Sequence, residues 1–346
     1  MIRFLTHRLP PVPLLCLLMA GSVLAGCSMD KPGSSSTPGG RTAAPSSGEK
    51  GKYKIAGIGF QNDQFFKIIE FGMKDAAKKN DVDLALGNSG GALDKEIALV
   101  DTYIGQKMDA IVIAPYNQKA SVAALKRASD SGVKIVTYDS FIEADFPVSN
   151  IKSDQVALGK ATGEEAVRYI QEKMGGKAKV AIISYLALLP EPAGQRTKGF
   201  EDEIKKLPGV EVVARQDAWM AEKGVGVVEG ILTAHPEVNL IWAANEGGTV
   251  GAVTAVRNAG KAGKIAVFGT DISDQMAGFL LADDNVLQAV TGQKPFEIGS
   301  QALETAVKAL KNEPVEKAVR LPGVLFTRRQ PDEVKKYQAY LKGLAQ

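Results

Sequence analysis

Nine residues spread over about 230 positions have side chains that together could bind a molecule rich in hydroxyl groups. The carboxylates and amides among them can each engage two neighbouring hydroxyls, and the guanidinium can donate to several acceptors. The aromatic rings can cover apolar C–H faces. The nine are Asp63, Phe65, Phe66, Asp139, Arg196, Trp219, Asn245, Asp271 and Gln293. Such a set suits a small sugar ring if the fold brings its members together.

Short apolar segments rich in Val and Ile alternate with amphipathic segments from residue 53 to about 291. This alternation predicts a repeated unit of one strand and one helix. Near-continuous apolar runs such as residues 110–114 are what parallel strands buried on both faces require. Right-handed crossovers then give doubly wound sheets. The predicted fold class is therefore α/β, with two doubly wound parallel-sheet lobes joined by a hinge of several strands.

The predicted elements divide into two sets. Strands are predicted at 53–59, 82–87, 108–114 and 134–138, and then at 179–184, 210–215, 240–244, 264–269 and 286–291. Helices are predicted at roughly 64–80, 92–106, 118–131, 154–174, 195–206, 221–234, 247–259, 273–282, 296–310 and 331–344.

All nine candidate residues lie in segments that follow predicted strands. Ligands of open α/β sheets bind beyond the carboxyl ends of the strands, so one crevice could collect these side chains. Asp271 could equally cap the helix that follows it. At least one of Phe65 and Phe66 is expected in the core, because both open an amphipathic helix. Trp242 lies within an apolar strand and is expected to be buried.

The N-terminal region is typical of an exported protein. Residues 1–26 carry two Arg, no acid and an apolar run, which predicts a secretory signal peptide. The run is too short to span a membrane. It ends in Leu-Ala-Gly before Cys27, which resembles a bacterial lipobox and predicts acylation of Cys27. Residues 27–50 are predicted to comprise this lipidated cysteine and a flexible tether rich in Ser, Pro and Gly. The protein would then face the periplasm or the exterior.

Composition excludes several classes of protein. Without residues 1–26 the formal net charge falls from +3 to +1, so nothing indicates a nucleic-acid partner. Only His235 then remains among the histidines, and Cys27 among the cysteines. The usual zinc sites and a Cys/His nucleophile pair therefore cannot form, and we expect no metal, no cofactor and no catalytic residues.

Seven short segments carry a family resemblance. They are NDQFF at 62–66, VTYD at 136–139, RTKGF at 196–200, LTAHP at 232–236, AN at 244–245 with GA at 251–252, GTD at 269–271, and QKPFEIG at 293–299. In this order and spacing they resemble the type I periplasmic binding proteins of the ribose, galactose and allose group, over residues 53 to about 326. The resemblance implies a monomer that binds a monosaccharide and delivers it to an ABC permease with its ATPase.

The resemblance also implies roles for the candidate residues. Stacking is implied for Phe65 and Phe66, an aromatic contact for Trp219, and hydroxyl binding for Asp139, Arg196, Asn245, Asp271 and Gln293. Three positions depart from ribose binders, which usually have Asn where Asp63 stands, Asn or Asp at Ala114, and Arg at Ser140. A different pattern of hydroxyls is therefore expected, and the sugar is not identified.

The predicted lobes are discontinuous in sequence. The N-terminal lobe is predicted to comprise 51–153 and 294–320, and the C-terminal lobe 154–293 and 321–346. Three other functions share parts of this pattern. One is a sensor that presents a bound sugar or autoinducer to a chemoreceptor or sensor kinase. Another is a surface glycosidase using two of Asp63, Asp139 and Asp271. The third, the effector half of a repressor, would require a helix-turn-helix where this chain has a signal.

Overall fold

The structure, a computed structural model, describes residues 52–344. The predicted signal peptide at 1–26, the predicted acylation site Cys27 and the rest of the predicted tether at 27–50 lie outside the described residues. Within 52–344, none of the helices combines the length and the apolar character needed to span a bilayer.

The described residues form twelve strands and ten helices. The strands are β1 (Lys54–Gly59), β2 (Asp83–Asn88), β3 (Ala110–Ile113), β4 (Lys134–Tyr138), β5 (Ser149–Ser153), β6 (Lys177–Ser184), β7 (Gly209–Asp217), β8 (Leu240–Ala243), β9 (Ala266–Thr270), β10 (Leu287–Gly292), β11 (Ala318–Leu321) and β12 (Val324–Thr327). The helices are α1 (Gln64–Lys79), α2 (Leu93–Gly105), α3 (Val122–Asp130), α4 (Gln155–Lys173), α5 (Pro190–Ile204), α6 (Ala221–Ala234), α7 (Glu246–Asn258), α8 (Asp274–Leu281), α9 (Pro295–Leu310) and α10 (Pro331–Leu344).

The strands form two six-stranded sheets of the same design. One has the order β11-β5-β4-β3-β1-β2 and the other β12-β10-β9-β8-β6-β7. Neighbouring strands are parallel, except that β12 pairs antiparallel with β10. Helices pack on both faces of each sheet, which fully buries central strands such as β3, β8 and β9. The predicted class of two doubly wound parallel-sheet lobes is confirmed.

Three short strands were not predicted from the sequence. β5 has the sequence SNIKS, whose polar residues conceal its alternation of buried and half-buried positions. β11 and β12 have four residues each, too few to show a periodicity. Helix α5 also begins earlier than predicted, at Pro190, because proline at the first helical position needs no hydrogen-bond acceptor.

The chain crosses between the sheets three times. The first crossing is at Asp154, between β5 and α4, and the second is at Gln293 and Lys294, between β10 and α9. The third is at Pro322 and Gly323, between β11 and β12. All three crossings are short, so the two lobes are held with their strand ends close together.

Glycines allow one helix pair in each lobe to approach closely. In the first lobe a β-carbon at Gly72 of α1 would lie 2.0 Å from the carbonyl oxygen of Phe296 in α9. In the second lobe a β-carbon at Gly159 of α4 would lie 1.9 Å from the carbonyl oxygen of Arg196 in α5. Any larger residue would force these helices apart. The contact at Gly159 therefore fixes the backbone from which the Arg196 side chain extends.

Trp242 is buried in the second lobe, as predicted. Its ring is 0% exposed and stacks on Phe200, with ring centroids 4.6 Å apart. Its indole Nε1 donates a hydrogen bond to the hydroxyl of Thr162 at 3.0 Å. The indole nitrogen is thus satisfied without water, as a buried tryptophan requires.

Candidate ligand-binding cleft

The carboxyl ends of the second sheet present a continuous row of polar and aromatic residues. Following the order of the strands, Gln293 comes after β10, Asp271 after β9 and Asn245 after β8. Tyr185 then follows β6 and Trp219 follows β7. Residues separated by as many as 108 positions, which is 293 minus 185, are therefore neighbours along one sheet edge.

Asp271 is held by several neighbours in this row. One carboxylate oxygen accepts from Nε2 of Gln293 at 2.8 Å, and the other accepts from the backbone N–H of Glu246 at 3.1 Å. The second oxygen also lies 3.4 Å from Nη1 of Arg196, with which it forms an ion pair. The alternative role, as a helix cap, belongs to Ser273, whose hydroxyl accepts from the first turn of α8. Asp271 is thus oriented by two side chains and one backbone amide.

Arg196 is 5% exposed and its guanidinium is fixed by several partners. Nε donates to Oε1 of Gln155 at 2.5 Å, and Nη1 donates to the carbonyl oxygen of Ala244 at 2.9 Å. The guanidinium carbon lies 5.8 Å from the centre of the Tyr185 ring. Burial acts to lower the pKa of Arg196, but Tyr185 and the carboxylates of the cleft outweigh it and raise the pKa. The guanidinium therefore stays charged.

Asp139 follows β4 of the first lobe and faces this network. Burial raises the pKa of its carboxyl to about 6. Arg196 opposes the increase, while Asp271 and Asp63 add to it. Two of these three groups belong to the second lobe, so the strand ends of both lobes share one electrostatic environment. Asp139 therefore lies close enough to Arg196 and Asp271 for their charges to act on one another across the two lobes.

Asp139 and Asp271 occupy equivalent places in the two lobes. Each follows a strand directly, and each has a backbone φ in the left-handed region, +58° for Asp139 and +73° for Asp271. This conformation costs a residue other than glycine on the order of 1 kcal/mol. Neither residue caps a helix in return. Strained non-glycine residues that face a cleft in both lobes are typical of a binding site.

The segment after β1 contributes to the same cleft from the first lobe. Asp63 is exposed and caps α1, because its Oδ1 accepts from the backbone N–H of Phe66 at 3.0 Å. Phe66 is 3% exposed and packs against Phe60, with centroids 4.7 Å apart. Phe65 is only partly buried. Of the two rings, Phe66 thus belongs to the core, and Phe65 has the accessible face.

A hydrogen bond links the side chain of Asn245, after β8, to the backbone of Trp219, after β7. Asn245 is 4% exposed and caps α7, with Oδ1 accepting from the backbone N–H of Gly248 at 3.2 Å. Its Nδ2 donates to the carbonyl oxygen of Trp219 at 2.8 Å. The Trp219 side chain is 38% exposed and meets the Tyr185 ring edge-on at 5.0 Å. Asn245 therefore positions the backbone of Trp219, whose indole is left accessible.

Four further residues of the cleft were not selected from the sequence. Tyr185 lies directly after β6, and Glu246 follows Asn245 in the segment after β8, so the strand-end rule that selected Asp139 points to both residues as well. Gln155 and Lys152 border the first crossing, at the end of the unrecognised strand β5. Recognising that strand would have drawn attention to both residues.

The assembled groups can bind a polyhydroxylated ring. Carboxylate oxygens of Asp139 and Asp271 accept hydrogen bonds, the amide and guanidinium groups donate them, and Phe65 and Trp219 offer apolar surfaces. Among residues 52–344, no group of three or more His, Cys, Asp or Glu side chains has the arrangement of a metal site. The side chains of this row can therefore contact both the hydroxyls and the C–H faces of a polyol.

Comparison with known proteins supports this assignment. The family model described as "Periplasmic binding protein domain" matches residues 57–314. The chain is 31% identical over 284 residues to an ABC transporter periplasmic-binding protein, YphF, of Escherichia coli, covering 80% of this chain and 86% of that protein. It is 30% identical over 311 residues to the ribose import binding protein RbsB of Bacillus subtilis, covering 89% and 95%.

Solved structures have the same fold. A solute-binding protein of Actinobacillus succinogenes with bound D-allose has a TM-score of 0.72 and 27% identity, covering 82% of this chain and 100% of that one. One from Agrobacterium radiobacter in complex with D-arabinose has a TM-score of 0.71 and 25% identity, covering 82% and 98%. From its match over residues 57–314, this chain belongs to the type I periplasmic binding proteins, the family that includes the sugar receptors of ABC transporters.

Proposed function

We propose that this protein is an extracytoplasmic receptor that captures a monosaccharide in the cleft and delivers it to an ABC importer. The observation that carries the proposal is the network in which Arg196 and Gln293 orient Asp271, with Asp139 facing them from the other lobe. One of the relatives named above is a ribose import binding protein, and the related solved structures hold D-allose and D-arabinose. A pentose, a hexose or a related polyol is the corresponding class of ligand.

Capture would occur by closure of two lobes over the sugar. We propose that the moving units are 51–153 with 294–320 and 154–293 with 321–346, joined at the three crossings. Closure excludes water, which strengthens each polar contact because the local dielectric falls. Gln293 lies at the second crossing, and its Oε1 accepts from Ser153 of β5 at 2.7 Å. Ligand contacts and the hinge would therefore share one side chain.

The proposed role needs no catalysis and no cofactor. The relatives are binding proteins rather than enzymes. The carboxylates are explained by hydroxyl binding, so a glycosidase reaction is not required. The protein would act as a monomer whose closed form docks on the permease.

We further propose attachment to a membrane through a lipid on Cys27. The support is the sequence before Cys27 and the absence of a second cysteine from the mature chain. The tether 28–50 would hold the lobes a few nanometres from the bilayer, at about 5 to 6 Å times the square root of its length. The protein would thus remain at the cell envelope, close to its permease.

A thermal-shift panel of pentoses, hexoses and polyols tests the proposed function. A ligand present at about 100 times its dissociation constant should stabilise the folded protein by about 2.7 kcal/mol. We expect at least one sugar to raise the melting temperature in this way, with amino acids and dipeptides as unrelated controls. An unchanged melting temperature with every sugar, or a rise only with the amino acids, would contradict the proposal.

Tryptophan fluorescence should report binding through Trp219 alone. Trp219 is 38% exposed beside Tyr185, whereas Trp242, the only other tryptophan, is fully buried. We expect ligand to change the emission of the wild-type protein. The Trp219→Phe variant should lose this change but keep the emission change of Trp242 on unfolding. A ligand response that survives in the variant would show that Trp219 does not report the site.

A further inference from the structure

The charges in the cleft do not balance. Asp63, Asp139, Glu246 and Asp271 bring four carboxylates to it, and these groups influence one another across the two lobes. Arg196 forms an ion pair with one of them, Asp271. The other carboxylates need another partner or must remain unpaired.

The cationic side chains at the cleft are already committed. Besides its ion pair with Asp271, Arg196 donates to Gln155 and to the backbone oxygen of Ala244. Lys152 lies at the edge, where its Nζ is 3.4 Å from Oε1 of Glu191 and 4.9 Å from the centre of the Phe141 ring. Neither cation forms an ion pair with Asp139, although the charges of both lower its pKa and so partly offset the effect of burial.

Three carboxylates are consequently left without a counterion. Within residues 52–344, Asp63, Asp139 and Glu246 have no Lys, Arg or His nitrogen closer than 4.0 Å. The Asp139 carboxylate also has no hydrogen-bond partner in that range, although its backbone is held in the left-handed conformation. Burial raises the pKa of Glu246, the hydroxyl of Ser273 opposes this, and Asp271 and Asp63 add to the increase. Ionised Asp139 and Glu246 thus destabilise the ligand-free cleft.

We propose that the ligand is a hydroxylated ring carrying a protonated amine, an amino sugar or an amino cyclitol, whose ammonium group binds at Asp139 between Asp63 and Glu246. This inference rests on the proposed function, since it names the class of sugar for the same cleft. An ammonium group has three N–H donors and can serve three separate acceptors. Its hydrogen bonds to carboxylates are about twice as strong as those between neutral groups.

The remaining groups of the cleft would bind the rest of such a ligand. Arg196, Asp271 and Gln293 form a network with no excess charge that suits ring hydroxyls. Phe65 and Trp219 offer surfaces for C–H faces. The carboxylates without a counterion come from both lobes, Asp63 and Asp139 from the first and Glu246 from the second, so the ammonium group would be held where the two lobes meet.

Paired ligands that differ only at the amine test this inference. Calorimetric titrations at neutral pH would compare D-galactosamine with D-galactose, D-glucosamine with D-glucose, and an aminodeoxyinositol with myo-inositol. We expect the best amine to bind about 10-fold or more tightly than its neutral partner. Its N-acetyl derivative, which is uncharged, should lose that advantage. A neutral sugar that binds more tightly than its amine would overturn the inference and leave the proposed function intact, whereas failure of all of these compounds and of the whole sugar panel would overturn both.

The Asp63→Asn variant locates the charge preference. Asparagine caps helices as well as aspartate does, so the bond to the backbone N–H of Phe66 can be kept while the charge is removed. We expect the ratio of amine affinity to neutral-sugar affinity to fall about 3- to 5-fold, as for a partly exposed charge pair. Glu313→Gln, which removes an exposed acid beyond the end of α9, is the matched control and should leave the ratio unchanged. Equal ratios in all three proteins would contradict a role for Asp63.

Discussion

The Arg196→Met variant is expected to bind the ligand about 100-fold or more weakly than the wild-type protein. Methionine retains most of the length of the side chain but has no donor for Gln155, for the carbonyl oxygen of Ala244 or for Asp271. Asp271 then loses its counterion and two buried acceptors lose their donor. Removing one partner of a buried ion pair costs about 2 to 5 kcal/mol. Calorimetry and thermal unfolding should both report the loss.

Two other variants make this prediction specific. Arg196→Lys keeps the charge and should fold, but it loses the planar set of donors that reaches three acceptors, so an affinity about 10-fold below wild type is expected. Arg215→Met removes an exposed arginine of the same lobe, paired with Glu201, and should change affinity little. Wild-type affinity in Arg196→Lys would show that the guanidinium geometry is not used.

The Asp139→Asn variant is expected to weaken binding while stabilising the ligand-free protein. Asparagine tolerates the left-handed backbone conformation of residue 139, so the substitution removes the charge with little change in the backbone. One or two charged hydrogen bonds to the ligand would be lost, each worth about 1.5 to 3 kcal/mol. Affinity should fall about 10- to 100-fold.

The stabilisation follows from the pKa of Asp139. Its folded-state pKa of about 6 lies above the ordinary value of 3.8. A raised carboxyl pKa means that the folded state binds the proton more tightly than the unfolded state. The contribution of Asp139 to the free energy of unfolding is therefore fully present below about pH 4 and is lost as the pH rises through about 6. At neutral pH the ionised group would cost about 1 to 3 kcal/mol, which asparagine would recover. The stability of wild type and variant should therefore converge in acid.

Asp81→Asn is the matched control for this prediction. Asp81 also has a positive φ, +53°, but it is exposed and paired with Lys52 outside the cleft. Its replacement should leave the ligand affinity unchanged. It should change the free energy of unfolding by no more than about 1 kcal/mol. If Asp139→Asn bound the ligand as tightly as wild type, Asp139 would have no part in the site. A melting temperature at neutral pH below that of wild type would contradict the cost assigned to its charge.

The fold was predictable because its strands are apolar on both faces. Apolar segments such as residues 110–113 can be fully buried only in a sheet that has helices on both faces. The spacing of these segments along the chain predicted the order of strands and helices. The three missed strands lie where the chain leaves one lobe for the other. β11 and β12 are edge strands and β5 lies next to an edge, so the burial that marks a strand is only partial, as in the alternating pattern of β5.

The candidate residues were predictable as a set but not in their individual environments. The strand-end rule selected Asp139 and Asp271, because topology alone fixes where a strand ends. It did not reveal that Phe66 is buried against Phe60, nor that Asn245 and Asp63 cap helices. The charge imbalance was also hidden, since it depends on Lys152 being paired with Glu191 in another lobe. Such pairings require coordinates.

The most direct test of the central claim, that strand ends of both lobes form one sugar-binding cleft, is calorimetric titration of the sugar that most raises the melting temperature. We expect one bound sugar per wild-type chain and unchanged affinity in Asp81→Asn. We expect strongly reduced affinity both in Arg196→Met, altered in the second lobe, and in Asp139→Asn, altered in the first. Equal affinity in all four proteins would place the sugar elsewhere and contradict a shared cleft.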